Sequence, residues 1–248
     1  LLLEKTDGKE VLYTHHDVSF LTSDGVRLEL HHALIEEGRI GTAEKLLSDI
    51  WEYAKPKENS FEYVLSEEMF YYYHLAHMAK HIEGGGCGVR PFLDLRILEK
   101  IEQDEGKRKT LLKKGGLVPF AEIAEELANG WFGDGVLSET AQKLGQYILR
   151  SGSYGNNENH SAVKQAQGKG KGRYIFGRIF LPYADMVLQY PALAKRKFML
   201  PFYEIRRWCR LFNPAQFRKK KKELSMIRNQ SEKDVTDVRI LLKELSLL

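Results

Sequence analysis

VSFLTSDGVRLELHHAL, Val18 to Leu34, decides how the chain begins to fold. Val18, Phe20 and Thr22 alternate with Ser19 and Leu21, and after Asp24-Gly25 the residues Val26, Leu28 and Leu30 alternate with Arg27, Glu29 and His31. Alternation of period two is the pattern of a half-buried strand, and Asp-Gly between two such runs favours a type I′ hairpin turn, whose central positions need φ > 0. The reading is a hairpin with strands near 16–23 and 26–33. Val26, Leu28 and Leu30 are expected to face a core, leaving Arg27, Glu29 and His31 on the opposite side. Two strands alone are marginal in water, so the hairpin is expected to be the edge or remainder of a larger sheet whose other strands lie outside this sequence.

Working outward, the pattern turns helical from Thr42. Thr42 is placed to cap a helix through about Tyr53, a Lys-Pro-Lys-Glu-Asn-Ser connector follows, and Ser66 caps a long helix through Ile82 that stops at Gly84-Gly85-Gly86-Cys87-Gly88. Pro91 suits the first turn of a helix over roughly Phe92 to Asp104, and further helices are expected near 107–114, 117–129 and 138–150. Residues 151–173 are polar and glycine-rich and read as a long surface loop. Helices resume at Tyr174, break at Pro182, Pro191 and Pro201, and finish near 202–212, 214–228 and 234–246. The fold class is therefore α+β, mostly helical.

Composition limits the function classes. With 248 residues, 43% of them hydrophobic, the chain can bury one large core or two small ones. A net charge of +4 is too small to mark the whole chain as a polyanion binder. Cys87 and Cys209 lie far apart with no CxxC, against a disulfide scaffold or a cysteine-rich zinc site, and a reducing, cytoplasmic setting is expected. No apolar run approaches the ~18 residues needed to cross a bilayer, and no basic region leads into an apolar one at the start. The sequence begins at Leu1, without methionine, and that is read as a sign of something missing upstream.

Glu29 is a lone acid in mid-strand. On a solvated outer face it needs no explanation; it gains one if further carboxylates converge on it. A second cluster is YYYHLAHMAKHIE, where His74, His77 and His81 fall at i, i+3 and i+7 with Lys80 beside them. His77 and His81 have the i, i+4 spacing that can grip a metal. The segment is His-Met-Ala-Lys-His, however, so the glutamate of a zinc-protease HExxH is absent. The stripe could bind phosphate through Lys80 and protonated histidine, form a metal site completed by Asp94, or satisfy hydrogen bonds inside a core.

The glycine run matches neither GxxxxGK[ST] nor a GxGxxG after a strand, and helix termination is its preferred role. Arg90, Pro91 and Asp94 place a cation and an anion at a helix start, a possible anion pocket. Gly168 to Arg173 is a flexible basic loop of weak specificity. Near the C-terminus, Lys195 to Lys197, Arg206, Arg207, Arg210 and Arg218 to Lys222 interleave with Trp208, Phe212 and Phe217. The near-neutral total charge favours a solvated basic helix face there over nucleic-acid binding.

Three stretches in this order, LELHHAL, HLAHMAKHIEGGGCGVRPFLDLRIL and YPALAKRKFMLPFYEIRRWCRLF, resemble a bacterial family of uncharacterised nucleotidyltransferases with a β-polymerase-like fold followed by a helical region. The matching residues are Leu28-Glu29-Leu30-His31 on the strand, His77, Lys80 and His81 on the helix, and Arg90 with Asp94-Leu95 after the glycine turn. The resemblance implies residues 1–58 as the C-terminal part of a nucleotidyltransferase-like α/β domain and 59–248 as a helical substrate-binding domain. It implies that Glu29 is the catalytic third acid of a Mg²⁺ site, completing an Asp-x-Asp on a neighbouring strand. His31, His77, Lys80, His81, Arg90 and Asp94 become residues of the pocket for a nucleoside triphosphate (NTP) or its unknown acceptor. The departure is that no residue in 1–25 can replace the Gly-Ser loop and Asp-x-Asp strand. The chain is thus expected to be an N-terminally truncated portion, inactive alone. The other class left open is a non-enzymatic helical binding module, acting with a partner chain that supplies the missing strands; a His/Asp metal hydrolase stands last.

Overall fold

The computed structural model describes residues 2–6, 9–13, 17–22, 24–35, 40–101, 104–153, 155–169 and 171–248. It divides into two compact units, one formed by Leu1–Glu36 with Lys169–Asn229 and the other by Glu37–Gly168 with Gln230–Leu248. The architecture is α+β and mostly helical. No helix among the described residues is long and apolar enough to cross a membrane.

The first unit opens with strands β1 (Leu2–Thr6), β2 (Lys9–Tyr13), β3 (Asp17–Leu21) and β4 (Arg27–His31) in one antiparallel sheet of order β1-β2-β3-β4. The expected hairpin is β3 and β4; its outer positions 16 and 23 lie outside the described residues. Two further strands of the sheet come from this sequence after all, where the reading had placed them outside it. Their segments, LLEKT and KEVLY, are short and mix charges with leucines, so their period is weak. The turn also differs. Thr22 N–H donates to Val26 O at 2.9 Å and Gly25 N–H to Thr22 O at 3.0 Å, and Gly25 has φ +79°. One left-handed glycine closing a loop longer than two residues is the bulged alternative to a type I′ turn.

Covering of the hairpin departs from expectation. All of β4 is exposed, Leu28 and Leu30 at 51% and 53%, and on β3 the covered residues are Asp17 and Ser19, 6% and 4% exposed. Alternation sorts residues into two faces, but which face is covered depends on neighbours that a strand's own sequence does not contain.

The rest of the unit is helical: residues 171–179, 183–189, 192–195, 200–209 and 214–229 form successive helices. Pro182 and Pro191 precede their helices, while Pro201 sits in the first turn of the 200–209 helix rather than breaking it. Met186, Tyr190 and Leu193 form a small core against Leu181, Tyr183, Val187 and Met199. Arg206 and Arg210 lie over the Tyr190 ring at 5.8 and 5.4 Å, and Arg207 pairs with Glu204 at 2.8 Å.

In the second unit α1 (Thr42–Ser48) starts without a side-chain cap at Gly41 and stops at Ser48, whose hydroxyl donates to Glu44 O at 2.9 Å. Thr42 therefore opens the helix as its first residue instead of capping it, and a separate 3₁₀ turn covers Ile50–Tyr53. The connector forms a short hairpin, β5 (Ala54–Pro56) with β6 (Tyr63–Leu65). α2 (Glu67–Glu83) begins where the cap was expected, Ser66 Oγ accepting from Met69 N–H at 3.2 Å. It is the unit's central helix: Met69, Tyr71, Tyr72, Leu75, Ala76, Ala79 and Ile82 are all fully buried. α3 (Arg90–Leu98), α4 (Glu105–Lys114), α5 (Val118–Phe132) and α6 (Glu139–Ser151) follow, α3 and α4 packing on α2 and α5 on α3.

The loop expected over 151–173 is largely helix, with Tyr154 and Gly170 outside the described residues. Asn156 accepts from Asn159 N–H at 2.8 Å and starts α7 (Asn157–Lys164), which buries Ser161, Ala162 and Val163, with Ala166 just beyond. Composition averaged over the segment hid this small apolar stripe. Its packing, and the Gln165–Gln230 bond of 2.9 Å, override the weak local propensity. Residues 232–244 close the unit as a last helix.

Candidate functional site

On the sheet, β3 and β4 pair Asp17 with His31, Ser19 with Glu29 and Leu21 with Arg27. Directly paired residues share a face, so Asp17, Ser19, Arg27, Glu29 and His31 stand together. The Glu29 carboxylate lies 3.2 Å from Arg27 Nε, and Arg27 Nη2 reaches Ser19 Oγ at 3.4 Å. Ser19 in turn donates to Asp17 Oδ1 at 3.3 Å. Asp17, which is not part of an Asp-x-Asp, thus shares a face with Glu29. The signal was present in the hairpin register, two residues along from the Ser19–Glu29 pair.

Glu29 is exposed and mid-strand, and among the described residues β4 has one strand neighbour, β3; one carboxylate beside a guanidinium does not make a two-metal centre. Among the described residues no group of three or more His, Cys, Asp and Glu side chains is placed to hold a metal ion.

In the second unit the expected histidine stripe divides. His74 Nε2 lies 2.8 Å from Pro91 O. A carbonyl only accepts, so that nitrogen carries the proton and His74 pins α2 to the start of α3. His77 and His81 face each other, Nε2 to Nε2 at 3.1 Å, with ring centroids 4.4 Å apart and planes at 80°. Both are half-buried, and the Tyr73 ring lies 5.8 Å from that of His77. Lys80 is buried, as is Glu83 one turn later. Arg90 and Asp94 form an i, i+4 pair on α3 at 3.8 Å, the Arg90 side chain 89% exposed. Asp94 is thus engaged with Arg90, while His77 and His81 meet each other.

The glycine turn is held by backbone. Gly84 N–H donates to Lys80 O at 3.0 Å and Gly86 N–H to His81 O at 2.9 Å, so these amides close the helix. A Cβ on Gly85 would stand 2.9 Å from His160 N and one on Gly86 2.1 Å from Ser151 Cβ. His160 Nδ1 donates to Gly84 O at 3.1 Å from α7. Glycine is required because α6 and α7 press against the turn. Burial holds the Cys87 thiol up at about 12, so it is no ready nucleophile.

A family model described as an uncharacterised nucleotidyltransferase matches residues 3–133. The chain belongs to this family. The matched span takes in β1 to β4 and α1 to α5, and with them Glu29, His31, His77, Lys80, His81, Arg90 and Asp94. No curated protein and no solved structure matches the chain.

The family's match also encloses a polar cluster that sequence reasoning missed. Tyr71 on α2 donates its hydroxyl to Glu125 on α5, Arg108 of α4 lies 4.9 Å over the Tyr71 ring, and Arg96 of α3 meets Glu99 at 3.1 Å. Burial, then the Glu125 charge, raise the Glu99 carboxyl above its ordinary range. Burial likewise holds the Tyr71 hydroxyl far above the ordinary tyrosine value, fixing it as a donor. These residues tie the four helices together.

Proposed function

We propose that this member of the nucleotidyltransferase family takes part in metal-dependent transfer of a nucleoside monophosphate from an NTP to an acceptor hydroxyl. The observation that carries this reading is the position of Glu29: inside the matched span, at the centre of edge strand β4, on the polar face shared with Asp17 and Ser19. In this role Glu29 is one carboxylate ligand of a Mg²⁺ site. Mg²⁺, when bound, neutralises triphosphate charge and stabilises the attacking and leaving oxygens.

No two aspartates stand two residues apart anywhere in the 248 residues, so the paired carboxylates of an Asp-x-Asp must come from a strand not in this sequence. Among the described residues β4 has one neighbour, β3, and an added strand on its other edge would lie beside Glu29. That strand, in a partner chain or elsewhere, is the second element of the proposal. Within the helical unit, exposed Arg90 at the start of α3 and the partly buried His77–His81 pair are the groups offered to phosphate oxygens. Lys80 and Asp94 support them from α2 and α3, and His31 borders Glu29 on the sheet.

The test is reconstitution. The chain, co-expressed with a segment carrying Gly-Ser and Asp-x-Asp, is supplied with Mg²⁺, α-labelled NTPs and mixed protein, sugar and nucleic-acid acceptors. Label transfer is expected from the pair and not from the chain alone, and Glu29→Gln should lower it by about 10²-fold or more. Transfer by the chain alone would remove the supplied strand from the proposal, and transfer indifferent to Glu29→Gln would remove Glu29 from the mechanism.

A further inference from the structure

α2 carries rings down one side, Phe70, Tyr73, His77 and His81, each within 6.4 Å of the next by ring centroid. Aromatic packing accounts for the first two. It does not account for two imidazoles turned so that their Nε2 atoms meet at 3.1 Å. Side chains at i and i+4 on a helix are neighbours, but that spacing leaves the ring orientation free.

From this pair we propose a binding site for a transition-metal ion that favours imidazole, with Zn²⁺ as its reference ligand. The geometry is the argument. With Zn–N of about 2.0–2.1 Å, two nitrogens on one zinc stand about 3.3 Å apart at a tetrahedral angle and about 2.9 Å apart at a right angle. The observed 3.1 Å lies between these values, so a modest turn of one ring aims both lone pairs at a common point. Tyr73 packs against His77 and limits that ring's freedom, so part of the ordering is already done. Both histidines are partly buried rather than fully enclosed, which leaves the ion a way in, whereas Lys80 on the same turn is buried. Among the described residues α2 supplies two ligands, and water or an anionic oxygen would complete the zinc's coordination.

This site is independent of the role given to Glu29. Mg²⁺ takes oxygen ligands, while imidazole selects Zn²⁺, Cu²⁺ or Ni²⁺. Millimolar Mg²⁺ should therefore not displace Zn²⁺. The zinc reading shares His77 and His81 with the proposed phosphate contacts but not Glu29, so loss of zinc binding leaves the Glu29 role standing, and loss of the Glu29 role leaves zinc binding standing.

The experiment is titration of the whole chain with ZnCl₂ in a non-chelating buffer, by calorimetry, for wild type, His77→Ala, His81→Ala and the double variant. Binding of one Zn²⁺ per chain is expected, weakened at least tenfold by either single change and no further by the double one. A Tm rise on zinc addition should vanish in the same variants. His31-His32 is an adjacent pair elsewhere, so a His31→Ala/His32→Ala chain serves as control and should bind as wild type does. No zinc binding, or binding unchanged by both single variants, overturns the proposal and leaves the pair as a simple N–H···N bond. Should the alanine variants misfold, zinc protection of His77 and His81 from diethylpyrocarbonate, read by peptide mass in the wild-type chain, decides the same question: protection supports the site and full modification overturns it.

Discussion

Ser19 and Glu29 stand directly opposite each other across β3 and β4, and Arg27 touches both, at 3.4 Å from the hydroxyl and 3.2 Å from the carboxylate. The Arg27 and Glu29 side chains are each about half exposed, 58% and 49%, so their attraction is largely screened by water. Replacing Glu29 by Gln should change unfolding free energy by less than ~1 kcal/mol in urea denaturation. The variant then reports on chemistry without disturbing the fold. A loss above about 2 kcal/mol would make Glu29 a structural residue of the sheet.

The glycine turn predicts the reverse kind of result. Gly86 has φ +133°, a conformation that L side chains rarely adopt, and a Cβ there would fall 2.1 Å from Ser151 Cβ and 2.2 Å from its Oγ. Gly86→Ala combines left-handed strain with a clash against α6 and should cost about 2–4 kcal/mol, measured by denaturant midpoint. Gly172, where an added Cβ meets nothing within 4 Å, is the matched control and should tolerate alanine.

Glu99 gives a pH dependence. Burial and the nearby Glu125 charge raise its carboxyl in the folded protein above the ordinary 4.5, with the Arg96 hydrogen bond opposing them. A raised folded pKa means that the native state holds the proton more tightly than the unfolded chain does. The contribution is therefore present at low pH and lost as pH rises from about 4.5 through the raised value. Glu125, Arg96, Arg108 and Tyr71 face this cluster, so the measurement must be a difference: wild type minus Glu99→Gln, by denaturation from pH 4 to 7. The expected difference falls with rising pH over that window. A flat or rising difference would show that Arg96 dominates.

Where the sequence was legible, a local rule had no competitor. Ser66 followed by Glu67 and an apolar run started α2 as expected, and Pro91 entered the first turn of α3, because capping and proline geometry are decided within a few residues. Asp24-Gly25 marked the hairpin for the same reason. The exposed leucines of β4 show the limit: alternation fixes which residues share a face, and Leu28 and Leu30 do share one, but whether that face is covered is not decided by the strand's own sequence. The site divides likewise. Spacing brought His77 and His81 together and Arg90 to Asp94, both i, i+4 relations. The place of Asp17 beside Glu29 could be read from the hairpin register, whereas the Tyr71–Glu125 contact, 54 residues apart, joins separate elements and had no local signal.

Tyr147 ties α6 to the end of α2, its buried hydroxyl donating to Ile82 O at 2.9 Å. Two substitutions separate what the hydroxyl does from what the ring does. Tyr147→Phe removes the donor, but Ile82 O also accepts from Gly85 N–H at 3.1 Å, so the carbonyl keeps a partner. The cost should stay near the lower end for a buried hydrogen bond, about 1 kcal/mol. Tyr147→Ala empties the space between α6 and the glycine turn, and should cost about 3–5 kcal/mol, since a close-packed interior refills only in part. Both are read from urea midpoints at constant m. If Phe proves as costly as Ala, the hydroxyl rather than the ring holds the glycine turn in place, and the His77–His81 end of α2 should lose order with it.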